Sequence, residues 1–179
     1  DSYRLDELGK GWQVAMTTLL HERGAGELVT PRSGGIQTRS AHVTSTRTLI
    51  ELARQTRRNG APASEDPIIR DRMMQQVIRE AGLAANQRRS RVTALQDHPM
   101  RLALQNKLLM SEITQDTAGI AVEIEGAAAS LYLGDAAAPD DGQWPMSYMN
   151  SFGFTIAAGT SEVQRNILGE RVLGMAKSK

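Results

Sequence analysis

The 179-residue chain has no cysteine, so it holds neither a disulfide framework nor a thiolate metal site, as expected of a reducing compartment. It also lacks any apolar run approaching the ~18–20 residues of a membrane span, and no signal-peptide pattern opens it. An excess of charge of one sign is missing too: 21 Lys and Arg against 20 Asp and Glu leave a net charge of +1, so no overall field draws the chain to nucleic acid or an acidic membrane. Arg88, Arg89 and Arg91 form a local basic cluster without interleaved aromatics, which reads as a solvated helix face. The three histidines, His21, His42 and His98, belong to no group at metal-binding spacing, and no metal is expected. Together these absences predict a soluble, cytoplasmic protein with no membrane span and no nucleic-acid partner.

What is present is a globular composition, 40% apolar, in a length suited to one domain. Strand signals and internal repeats are nearly absent, and helical signals dominate. One helix is predicted from about Gly11 to Val29, closed by Thr30-Pro31-Arg32-Ser33-Gly34-Gly35; a second runs from Ser40, as cap, to about Arg57, before Asn59-Gly60-Ala61-Pro62. Asp66-Pro67 has the cap-then-proline order of a helix start, and that helix should reach about Gln96 before His98-Pro99 breaks it. A fourth, about Arg101 to Tyr132, carries Leu104, Leu108, Ile113, Ile120 and Ile124 near helical spacing. Residues 134–151, rich in Asp, Ala, Pro and Gly and containing Trp144, read as an ordered surface loop. A last helix follows. The methionines, Met73 and Met74 among them, read as core filler. The expectation is an all-α, up-and-down bundle of four or more helices.

Two segments carry chemistry. In the first helix, at ~100° per residue, Trp12, Met16, Leu19 and Gly26 define one stripe, and Arg23 falls within roughly 20° of Trp12. Glu22 lies at the stripe's edge. A cation and a carboxylate on an apolar face need partners. They serve either as structural ion pairs or as a partly desolvated base beside an anion-binding arginine. In the second segment, Ala157-Ala158-Gly159 have little side chain and lead into Thr160-Ser161-Glu162-Val163-Gln164, a helix start with Ser161 and Gln164 at capping-box spacing and Glu162 in the first turn. Such a turn lets another molecule approach the backbone, although any helix start after a tight loop has the same look.

The stretch from Gly153 to Gly174 resembles the C-terminal signature of acyl-CoA dehydrogenases, and Leu19-Leu20-His21-Glu22-Arg23-Gly24 resembles the segment where some members place their catalytic glutamate before an arginine. Most other members carry the base directly before the Gly-Thr pair. That position here is Ala158, so one base site is filled and the other is empty. The resemblance implies Glu22 as the base that removes the α proton of an acyl-CoA, giving a 2,3-enoyl-CoA, and Arg23 as a contact to the CoA part of the substrate. It implies FAD as cofactor, held in part by Gly159, Thr160 and Glu162, and an electron-transfer flavoprotein as acceptor. It also implies a homo- or hetero-oligomer, dimer or tetramer.

The family has an N-terminal helical domain, a middle β domain and a C-terminal bundle. Residues 1–10 therefore resemble the tail of the β domain and residues 11–179 the bundle; the start at Asp1 without methionine fits a piece of a longer polypeptide, inactive by itself. Departures from the family pattern lie at Arg54-Gln55-Thr56-Arg57-Arg58-Asn59-Gly60, where an arginine-x-x-Phe-Gly motif is expected, and at Glu123 to Ala129, where a Gln and a glycine-rich loop are expected. They resemble the divergent bacterial branch. Two further readings follow from them: a catalytically weak assembly subunit of a hetero-oligomeric dehydrogenase, and a relative that keeps the fold but binds DNA or oxidises another substrate.

Overall fold

A computed structural model of the chain describes residues 4–22 and 45–177. Those residues are mostly helical, with one two-residue β pair. The helices are α1 (Gly11–Glu22), α2 (Thr46–Gln55), α3 (Pro67–Arg89), α4 (Pro99–Glu125), α5 (Gln143–Ile156) and α6 (Ser161–Ile167); the strands are β1 (Arg57–Arg58) and β2 (Ala61–Pro62). From α2 to α5 successive helices pack alongside one another, and α4, the longest at 27 residues, packs against α2, α3 and α5.

Helices α2, α3, α4 and α6 start where a side chain takes up orphan amides. Ser45, rather than Ser40, precedes α2, and its hydroxyl accepts from the Thr48 amide at 3.3 Å. Thr46 donates from its backbone to Glu80 Oε1 at 2.8 Å, which ties the start of α2 to α3. Ser40 itself lies outside the described residues. Asp66 caps α3 by accepting from Ile68 and Ile69, with Pro67 in the first turn as expected. His98 does more than break a helix: its Nδ1 accepts from the Met100 amide at 3.1 Å and starts α4 with Pro99. Between α2 and α3, Asn59 (φ 51) and Gly60 (φ 85) turn an antiparallel hairpin that pairs Arg57 with Pro62.

Three predicted boundaries move. The third helix ends at Arg89 and the chain continues as a 3-10 turn, Thr93–Leu95, instead of running to Gln96. The fourth ends at Glu125, because Gly126 (φ 59) leaves the helical region and a 3-10 turn, Gly126–Ser130, follows. The larger correction is at residues 134–151. Asp140 (φ 45), Asp141 (φ 54) and Gly142 (φ 68) reverse the chain, and α5 begins at Gln143 with Pro145 in its first turn. Trp144 is 2% exposed in the core, not on a surface loop.

That core joins Leu49, Leu52 and Ala53 of α2, Ile69 and Met73 of α3, Ile120, Ala121 and Ile124 of α4, and Trp144. Leu104 and Ile113 are buried as their spacing predicts, whereas Leu108 is half-buried. Met73 is core filler; Met74 is exposed. Small residues let α4 and α5 approach closely: the Tyr148 ring lies where a Cβ on Gly119 would be in van der Waals contact, and Thr117, Ser147 and Ser151 are buried. The apolar stripe of α1 is only partly covered by the described residues: Trp12 is 76% exposed, while Met16 and Leu19 are half-buried. A helical period says which face seeks cover, not what supplies it.

A Cβ on Gly142 would sit 2.6 Å from the Leu133 amide nitrogen and the Tyr132 carbonyl carbon. Gly142→Ala therefore combines left-handed strain with a backbone clash and should cost about 2 kcal/mol or more. Urea denaturation of the full-length protein reads this directly; an unchanged midpoint would refute it.

Candidate functional site

The signature turn is built by two helix ends. Helix α5 stops when the Ala157 amide, bonded to the Gly153 carbonyl at 2.9 Å, turns extended (φ −58, ψ 149). Ala158 then adopts φ 57 and Gly159 φ 99. For alanine the left-handed region costs about 1 kcal/mol, so neighbouring contacts must hold it. Gln164, fully buried, donates through Nε2 to the Ala158 carbonyl at 2.8 Å and, at 3.4 Å, to that of Gly159. Lys107 reaches across from α4, its Nζ donating to the Gly159 carbonyl at 2.7 Å.

Helix α6 then begins at Thr160, whose Oγ1 accepts from the Val163 amide at 3.3 Å. The expected Ser161–Gln164 capping box does not form: Thr160 is the cap, Ser161 is buried with its hydroxyl unpaired among the described residues, and Gln164 turns back to the loop carbonyls. A threonine one residue earlier wins because it alone has the extended backbone a cap requires. Glu162 lies in the first turn as predicted and is exposed. Its own backbone amide and the Thr160 hydroxyl hold its carboxyl below the ordinary range.

Gly159, Thr160 and Glu162 are thus brought together in one turn. Glu22 closes α1, but its side chain, like all of Arg23, Gly26 and His42, lies outside the described residues. Lys107 was not singled out from sequence; a lysine on a helix carries no local mark of a carbonyl 52 residues away. Of the basic cluster, Arg88 and Arg91 are exposed, while Arg89 is half-buried and donates to the Leu95 carbonyl at 2.9 Å.

The departures from the family pattern have structural roles. Residues 54–60 form the end of α2 and the hairpin turn, where Arg57 donates to the Gly60 carbonyl at 3.1 Å. Glu123 pairs with Arg72 of α3. Glu125 is 7% exposed, and neither carboxylate oxygen has a hydrogen-bond partner among the described residues. Burial, reinforced by the Asp140 charge, pushes its pKa from 4.5 up to about 7. The folded chain therefore holds a proton here that the unfolded chain releases, and stability falls as pH rises from about 4.5 to about 7. Glu125→Gln should flatten that slope, a change of roughly 1–3 kcal/mol between the ends of the window. Urea midpoints on either side of neutrality measure it; an equal slope in both proteins would remove Glu125 as its source.

A cleft of about 350 Å³ between α2 and the start of α5, lined by Glu51, Gln55, Asp140 and Gln143 among others, includes no residue of the signature turn. Among the described residues, no group of three or more acidic or imidazole side chains is placed to hold a metal, and no helix is long and apolar enough to cross a membrane.

Fold and turn together define an all-α bundle domain whose last helix opens on a small-residue loop. The family described as "Acyl-CoA dehydrogenase, C-terminal domain" matches residues 9–173. Acyl-CoA dehydrogenase IpdE1 of Mycolicibacterium smegmatis is 35% identical over 169 residues, covering 94% of this chain and 38% of that protein. The protein of the same name from Mycobacterium tuberculosis is 31% identical over 174 residues, covering 94% and 39%. The chain thus spans less than two-fifths of the relatives it matches. Among solved structures, the ChsE4-ChsE5 complex from Mycobacterium tuberculosis aligns with a TM-score of 0.71 at 22% identity, over 98% of this chain and 43% of that one. The Tcur3481-Tcur3483 steroid ACAD aligns at 0.69 and 24%, over 96% and 41%; at such identities the likeness is one of fold. The chain belongs to the acyl-CoA dehydrogenase family, as its C-terminal domain.

Proposed function

We propose that this chain is the bundle part of a FAD-dependent acyl-CoA dehydrogenase that converts an acyl-CoA thioester to the 2,3-enoyl-CoA. In this reading residues 1–10 lead from a preceding β domain, residues 11–179 are the bundle, and the whole works in the cytoplasm. The observation that carries it is the turn at residues 158–162. Its side chains are a methyl, a hydrogen, two hydroxyls and the exposed Glu162 carboxylate, and its Ala158 and Gly159 carbonyls are drawn inward by Gln164 and Lys107. Such a turn fits a flat, polar cofactor approaching the backbone.

Gly159, Thr160 and Glu162 would hold FAD, which supplies the hydride acceptor for the substrate's β carbon. The chain's own residues supply the rest. Glu22 takes the α proton onto its carboxylate, acting as general base. Arg23 pairs with an anionic group of the CoA moiety. Ala158, in the position that other members use for the base, has no group that can accept a proton. The electrons leave to an electron-transfer flavoprotein.

The oligomer in this reading is hetero-oligomeric. Two fold neighbours are named as pairs of chains, and the arginine-x-x-Phe-Gly motif that would reach a neighbouring subunit's flavin is replaced here by residues 54–60, the end of α2 and its hairpin turn. The same replacement favours a second reading, an assembly subunit with little catalysis of its own. The visible spectrum of the purified full-length protein decides between them. Flavin bands that bleach anaerobically with one of a panel of fatty acyl-CoA and steroid-CoA thioesters support the dehydrogenase. Absence of flavin supports the assembly subunit.

A further inference from the structure

We propose that Lys107 of α4 is a positioning residue for the cofactor turn: together with Gln164 it fixes the peptide planes on either side of Gly159, so that their amides face away from the bundle. The proposal rests on the reading of residues 159–162 as FAD contacts and deepens it. A trans peptide is planar, with its N–H opposite its C=O. When the Ala158 carbonyl is held by Gln164 and the Gly159 carbonyl by Lys107, the Gly159 and Thr160 amides must point the other way. Gln164 is 0% exposed, so its side of the turn is the interior and the amide side is the outer one. Neither amide donates to a backbone group among the described residues.

The clamp also accounts for the backbone. Ala158 at φ 57 sits where an L-residue is disfavoured, and such strain persists only when surrounding contacts over-determine it. Gln164 acts from within α6 and could follow that helix if it shifted. Lys107 is anchored on α4, whose Leu104 and Ile113 are buried on either side of it in sequence, so it references the turn to the bundle core. A part-buried ammonium donating to a carbonyl forms a charge-assisted bond, stronger than the neutral amide's.

The test uses the full-length protein as wild type, Lys107→Met, Lys107→Gln and Lys107→Arg, each shown to be folded by circular dichroism, with FAD affinity measured by titrating the flavin-stripped protein. Lys107→Met should weaken FAD about tenfold or more, the scale of one lost charge-assisted bond. Lys107→Arg, which keeps a charged donor, should return affinity to within about threefold and restore the shape of the bound flavin's visible bands. If Lys107→Met does not fold, Lys107→Gln replaces it: its shorter, neutral amide loses the charge assistance, and affinity should still fall about threefold or more. Unchanged affinity and bands in the folded variant overturn this inference while leaving the FAD contacts standing. A wild-type protein that takes up no FAD overturns those contacts and this inference together.

Discussion

Trp144→Ala should destabilise the bundle by about 3–5 kcal/mol, the usual cost of truncating a buried indole. Trp144 is 2% exposed and sits where α2, α3, α4 and α5 share one core with Leu49, Ile69, Ile120 and Ile124. Removing it opens a cavity that these helices cannot close without moving together, because α2, α3 and α4 are pinned to one another elsewhere: Thr46 to Glu80 between α2 and α3, and Arg79 to Asp116 between α3 and α4. The urea midpoint of the full-length protein measures the loss. A change below about 1 kcal/mol is the behaviour of a surface tryptophan and would return residues 134–151 to a loop.

The second large effect is catalytic. On the proposed reading of Glu22 as the base, Glu22→Gln in the full-length protein should lower acyl-CoA turnover by roughly 10²–10⁴-fold, the range expected when a positioned general base is lost. Glutamine keeps the shape but cannot accept the α proton at neutral pH, so KM should change little while kcat falls. On the same reading no signature residue substitutes, since Ala158 stands where the resemblance places the alternative base. A variant with wild-type kcat would place the base elsewhere.

The helix starts were legible where a side chain and a proline act locally. Asp66-Pro67 marks the start of α3 by itself, and the apolar spacing of α4 names the face that Leu104, Ile113, Ile120 and Ile124 bury. The start of α5 was not legible for an equally local reason. Asp140, Asp141 and Gly142 read as loop residues, and they are; but their left-handed backbone reverses the chain into a helix whose first residues, Gln143, Trp144 and Pro145, carry no cap side chain. The burial of Trp144 depends on Leu49 and Ile124, both far away in sequence, and no window of sequence contains them.

At the candidate site, the grouping of Gly159, Thr160 and Glu162 followed from adjacency, and the helix start from its threonine and serine. What holds the turn did not. Ser161 and Gln164 at capping-box spacing suggested a reciprocal pair, yet the extended backbone at Thr160 gave it the cap and freed Gln164 to bind the Ala158 carbonyl. Lys107 belongs to the same arrangement through tertiary proximity alone.

The most direct test of the account is anaerobic single-turnover reduction, mixing flavin-loaded full-length protein, wild type and Glu22→Gln, with the acyl-CoA thioester that the wild type accepts. The account predicts that both forms hold flavin with the same visible bands, and that these bleach rapidly in the wild type and at most slowly in the variant. Equal bleaching in the two would contradict it.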